Sequence, residues 1–231
     1  MNGFEFANKA LSIKGYALDS IIKLTDGAEV DWLEFKAAIK DQNAKETGKA
    51  NEYDLILHLL KALVSMANGS GGMVLLGVDD EGNAVGLKHS GYDGDKDKFT
   101  RYISDKVFIR ESWRTQLSGE WRWENNADQI YFDPQWARLQ GTDVLVFTVP
   151  PREKSLGPLF LINTTHKNPE PVEYAFVRAG GDRGKVLRLS REDAKNWWVQ
   201  RDVSLYSRKF TTWISELQKT DPALFHLTVT E

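Results

Sequence analysis

The strongest periodicity in the chain is Leu55, Ile56, Leu59, Leu60, Leu63, Val64 and Ala67. Apolar residues three and four apart fall on one helical stripe, so an amphipathic helix is expected over 52–67. Asn51 suits its N-cap. Asn68-Gly69 ends it, because both residues tolerate the left-handed conformation found after helix C-termini. A glycine-rich corner follows, and then Met73–Val78, a short unbroken apolar run that predicts a buried strand. Asp80-Glu81-Gly82-Asn83 reads as a turn and Ala84–Leu87 as a second short strand, the pair forming a hairpin. Upstream, Leu33 and Phe35 alternate with Glu34 and Lys36. That period of two predicts a strand with the apolar pair on one face and the charged pair on the other.

The remaining elements are read the same way. A helix is expected over 17–23, a turn at Asp26-Gly27, a polar loop over 41–51 and a helix over 96–107. Residues 111–140 are dense in Trp and Arg and carry no assignable period. Strands are expected over 143–150, 159–162 and 174–177, with Pro150-Pro151 breaking the first. Gly180-Gly181-Asp182-Arg183-Gly184 is a loop. Ser190-Arg191-Glu192-Asp193 resembles a capping box that opens a helix through Trp197 and Trp198. A last amphipathic helix is expected over 204–219.

Composition narrows the function classes. The 231 residues contain no cysteine, which excludes disulfides and thiolate metal sites and makes the reducing cytosol, a cytoplasmic location, the expectation. No basic segment followed by a long apolar run opens the chain, and no stretch of about 18 apolar residues occurs, so neither a signal peptide nor a membrane span is expected. The net charge of -3 means that a nucleic-acid partner has to meet a local basic patch.

Candidate chemistry sits at strand ends. Glu29, Glu34, Asp79 and Asp80 are carboxylates beside two predicted strands. Glu29 and Glu34 are five apart, which on one straight strand places them on opposite faces. They reach one pocket only if Glu29 comes off the turn before the strand. Converging carboxylates call for a hard cation, Mg²⁺ or Mn²⁺, which takes oxygen ligands and can activate water beside a phosphate. Lys36, on the Glu34 face, would steady the phosphate charge. The competing reading is structural: Asp and Glu are common at exposed strand ends, and Asp-Asp-Glu-Gly is good turn chemistry. The glycine corner itself is no phosphate cradle, because it leads from helix to strand, whereas phosphate loops run from strand to helix. Arg178, Arg183, Lys185, Arg188 and Arg191 form a basic stretch suited to sugar-phosphate contact, with a solvated basic face as the alternative. Arg110, Arg114 and Arg122 among the tryptophans could add stacking surface. His58, His89, His166 and His226 form no catalytic pattern.

Taken together, Trp32-Leu33-Glu34-Phe35-Lys36, the helix end Ser65-Met66-Ala67-Asn68, the run Gly71–Gly82, Val85-Gly86-Leu87 and the later Tyr174–Gly180 with Leu189-Ser190 resemble the Schlafen AlbA_2 domain. The resemblance implies an α+β fold, a mixed sheet flanked by helices, over residues 25–200, with an N-terminal helical segment at 1–24, a Trp-rich insertion near 105–140 and a C-terminal helix and tail at 201–231. It implies a metal-dependent endoribonuclease acting on structured RNA such as transfer RNA, in bacterial defence or stress response. The acidic triad would be Glu29, Glu34 and Asp80 or Asp79, holding Mg²⁺ or Mn²⁺. RNA is the favoured partner over DNA. A single lobe implies a homodimer that builds the nucleic-acid groove by symmetry. Other members are described as DNA-binding domains or transcriptional regulators and often lack one acid; this chain keeps all three.

Overall fold

The computed structural model describes residues 18–23, 25, 27, 29–37, 52–107, 114–116, 119–124, 134–165, 168–178 and 186–201. The helices are α1 (Leu18–Lys23), α2 (Glu52–Asn68), α3 (Lys96–Val107) and α4 (Arg191–Gln200). The strands are β1 (Leu33–Lys36), β2 (Gly72–Leu76), β3 (Arg114–Gln116), β4 (Gly119–Glu124), β5 (Pro134–Leu139), β6 (Thr142–Val149), β7 (Phe160–Thr165), β8 (Asn168–Arg178) and β9 (Val186–Leu189). The fold is α+β. One sheet is mixed, in the order β1-β2-β6-β5, with β1 parallel to β2; the other is antiparallel, in the order β3-β4-β7-β8-β9. The Asn51 cap, the 180–184 loop and the final helix lie outside the described residues.

Helix α2 lies between the sheets. Its stripe of Leu59, Leu63 and Met66 is fully buried against Val74, Leu76 and Phe147 of the mixed sheet and Leu161 and Phe176 of the antiparallel one. The other face of the mixed sheet buries Leu33, Phe35, Met73 and Leu75 against Ile21, Ile22 and Trp32. Each such side chain contributes about 1.5–3 kcal/mol of transfer free energy. Both faces of β1 and β2 are therefore covered, which explains why Met73–Leu76 reads as an unbroken apolar run.

Two residues in the corner after α2 fix this arrangement. Gly72 opens β2 so close to β1 that an added Cβ would stand 2.3 Å from the Trp32 carbonyl oxygen. That same carbonyl accepts a 2.7 Å hydrogen bond from Met73 N–H, so the close approach is what lets the parallel pair begin. Asn68 is fully buried. Its Nδ2 donates to the carbonyls of Leu159 (2.9 Å) and Phe176 (3.0 Å), and its Oδ1 accepts from Leu159 N–H (2.8 Å). One side chain thus ties the helix end to β8 and to the entry of β7. The helix carbonyl of Ala67 accepts from Arg152 N–H at 2.7 Å, which satisfies a group that a helix end leaves orphaned.

The expected hairpin after β2 is a correction. The turn forms, but its second strand is reduced to a single bridge between Val78 and Ala84. Val85 and Gly86 N–H groups both donate to the Gly77 carbonyl, so the chain curls around one acceptor instead of extending. The Trp-rich stretch, unassigned from sequence, contributes β3, β4 and β5. Replacing Asn68 with Ala would leave three backbone groups buried without partners. Urea unfolding should show a loss of at least about 2 kcal/mol; an unchanged midpoint would mean that the three bonds carry no net stability.

Candidate active site

The site grows from the edge of β1. Val30 and Leu33 exchange two backbone hydrogen bonds of 3.1 Å across a turn at Asp31-Trp32. This tight reversal keeps Glu29 off the strand and lays it back beside β1. There its Oε1 accepts from Phe35 N–H at 2.8 Å. An edge strand presents unpaired N–H groups outward; here a carboxylate closes one of them. The odd spacing of Glu29 and Glu34 is therefore no obstacle, because the two do not share one straight strand.

Glu34 faces α2 and is only 7% exposed. A buried carboxylate needs a charged, hydrogen-bonded partner. Arg178, at the end of β8 and 2% exposed, supplies it: Nη2 bonds Glu34 Oε2, and Nη1 donates to the Val30 carbonyl at 3.1 Å. Lys36 Nζ bonds Glu34 Oε1, donates to the Phe35 carbonyl at 2.7 Å and stands 3.7 Å from Glu29 Oε1. Two carboxylates thus converge on one ammonium, with a guanidinium behind. Burial pushes the Glu29 carboxyl above its ordinary value, and the Glu34 charge adds to the rise. Lys36, the Phe35 N–H and Arg178 pull the other way without cancelling it.

The aspartates stand differently. Asp79 is spent on its own turn: Oδ1 accepts from Glu81 N–H (3.1 Å) and Asn83 N–H (2.7 Å), and Oδ2 from Asn83 Nδ2 (3.2 Å). Asp80 is exposed and has no hydrogen-bond partner among the described residues. Among the described residues no group of three or more carboxylate or imidazole side chains is gathered closely enough to hold a metal ion. The structure therefore brings together Glu29, Glu34, Lys36 and Arg178, and leaves Asp79 and Asp80 apart from them.

Of the basic stretch, Arg178 is a buried partner of Glu34 and not a surface contact. Arg188 is exposed on β9, its guanidinium 4.6 Å from the Tyr174 ring centroid. Arg191 is exposed at the start of α4, over the Phe160 ring. Arg183 and Lys185 lie outside the described residues. Asn68, read from sequence as a helix stop, is the positioning residue that sequence missed. It holds the Phe176 carbonyl, two residues before Arg178.

The donor set suits a hard cation in kind. Mg²⁺ is commonly held by one or two carboxylates, with water and substrate phosphate oxygens completing its shell. Glu29 and Glu34 offer two such carboxylates, with both Glu34 oxygens already bonded, to Lys36 and to Arg178.

A carboxyl whose pKa is raised by folding stabilises the protein below its unfolded value of 4.5, and that contribution is lost as pH rises through the folded value. Glu29→Gln keeps an acceptor for Phe35 N–H and removes the titration. The variant's advantage in melting temperature over the wild type should grow as pH rises above 4.5. Parallel stability curves would show that Glu29 is not strained.

No curated protein matches the chain. Among solved structures, the DIP2311 protein from Corynebacterium diphtheriae is 15% identical with a TM-score of 0.43, over 82% of this chain and 27% of that one. The N-terminal domain of a DNA helicase RecG-related protein from Nitrosomonas europaea is 17% identical with a TM-score of 0.31, over 74% of this chain and 87% of that one. This chain thus spans about a quarter of the length of the first. The family model "Schlafen, AlbA_2" matches residues 29–186, from the first glutamate of the site to the start of β9. That match takes in Glu34, Lys36, Asn68 and Arg178 and covers more than half of the sequence, and the chain belongs to the Schlafen AlbA_2 family.

Proposed function

We propose that this protein is a metal-dependent endoribonuclease acting on structured RNA such as transfer RNA. The observation that carries the reading is the convergence of Glu29 and Glu34 on Lys36 beside a pocket rich in cations. Membership of the family supports nucleic acid as the partner. Glu29 and Glu34 would hold Mg²⁺ or Mn²⁺, with water and substrate phosphate oxygens completing the shell in place of the expected third acid. The ion, when bound, lowers the pKa of its water and offsets charge developing on a phosphate.

The chain's own residues do the rest. Phe35 N–H fixes one oxygen of Glu29, and the other accepts no bond from the described residues. Arg178 holds Glu34 from behind, so its carboxylate has one orientation. Lys36 places a positive charge where an incoming phosphodiester would meet the two acids. Burial on the α2 side limits water around Glu34, which strengthens these charge interactions.

A non-catalytic nucleic-acid-binding domain is the second reading, favoured by one observation: Lys36 and Arg178 already pair Glu34. The assay is transfer RNA incubated with purified protein and Mn²⁺. Wild type should cleave, and Glu34→Gln should lose at least about 100-fold in rate, the scale of removing a preorganised charged group. Equal cleavage by the two proteins would remove the acids from the site. No cleavage, with salt-dependent binding that survives Glu34→Gln, would establish the binding domain instead.

A further inference from the structure

A pocket of about 330 Å³ opens beside Glu34, between α2 and the β8–β9 edge. Its size falls at the lower end of ligand pockets, about 300–1,000 Å³. Lys36, Lys61 and Arg188 line it, against the single carboxylate of Glu34. That carboxylate is also paired with buried Arg178. Two cations are positioned by aromatic rings. Lys61 Nζ lies 5.6 Å from the Phe176 ring centroid, and Arg188 lies 4.6 Å from that of Tyr174. An aromatic face locates a cation without cancelling its charge. β8 and β9 are in register here, Phe176 opposite Arg188, so a sheet sets the spacing. The rest of the lining is His58, which is polar, and the apolar Ala62, Phe176 and Val186.

Cations set beside apolar and aromatic side chains match a phosphate that carries a sugar and a base. We propose that this pocket seats one unpaired nucleotide of the bound strand. Its phosphate lies against Lys61 and Arg188, and its sugar and base lie against Ala62, Phe176 and Val186. A base in a duplex cannot enter a pocket of this size without leaving its stack. The site therefore selects a strand with at least one unpaired nucleotide next to the bond presented to Glu29 and Glu34. This rests on the nucleic-acid reading above and narrows its substrate to looped or single-stranded segments.

The test is fluorescence anisotropy in EDTA, so that no strand is cut. A labelled single-stranded oligonucleotide and a fully paired duplex are titrated at several salt concentrations. Wild type should bind the single strand at least about 10-fold more tightly than the duplex. The double variant Lys61→Gln with Arg188→Gln should weaken single-strand binding at least about 10-fold and lower the salt slope by about 0.7, the share of one phosphate. Val186→Trp fills the pocket and keeps every charge. It should weaken single-strand binding with the slope unchanged, and it decides the matter if the double variant does not fold. Equal wild-type affinity for strand and duplex, or single-strand binding untouched by Val186→Trp, would overturn the proposal. Failure of the cleavage assay leaves these results standing, so the two readings fail separately.

Discussion

Glu34 and Arg178 leave water together. The cost of removing a carboxylate or a guanidinium from water is several kcal/mol per ion, and it is offset only when geometry is close and the remaining polar atoms are bonded. Here Glu34 comes from the mixed sheet and Arg178 from the antiparallel one, 144 residues further along the chain. The pair can form only if both sheets are placed on α2 in one way. A small shift of β8 would leave two buried charges apart, which is among the most destabilising states a core can hold.

Several features follow from that demand. Asn68 pins β8 through the Phe176 carbonyl, so that Arg178 arrives at Glu34. Gly72 lets β2 lie against β1, which sets the depth of Glu34. Arg178 also reaches the Val30 carbonyl and so braces the turn that brings Glu29 alongside. The same framework leaves Glu29 partly buried near a second carboxylate, with its pKa raised.

Much of this was legible in the sequence. The stripe on α2, the alternation in β1 and the serine cap of α4 are local signals, and the structure follows them; Ser190 Oγ accepts from Asp193 N–H at 3.2 Å. What was not legible depends on long-range partners. Arg178 read as a phosphate contact because it opens a basic run, yet strand parity puts it on the face of Tyr174 and Phe176, which α2 covers. Asn68 read as a helix stop because Asn-Gly is a local signal, whereas its bonds go to residues 91 and 108 positions away. The second arm of the expected hairpin failed because one carbonyl, that of Gly77, captured two successive N–H groups. The Trp-rich strands had no period to read, since charge and aromatic residues are mixed along them.

The central claim is that the Glu34–Arg178 pair couples the two sheets energetically, and a double-mutant cycle measures it directly. Urea unfolding of wild type, Glu34→Gln, Arg178→Met and the double variant isolates the coupling from the single losses. The account predicts a favourable coupling of at least about 1.5 kcal/mol, with the double variant less destabilised than the sum of the singles. Additive losses, with a coupling near zero, would contradict it.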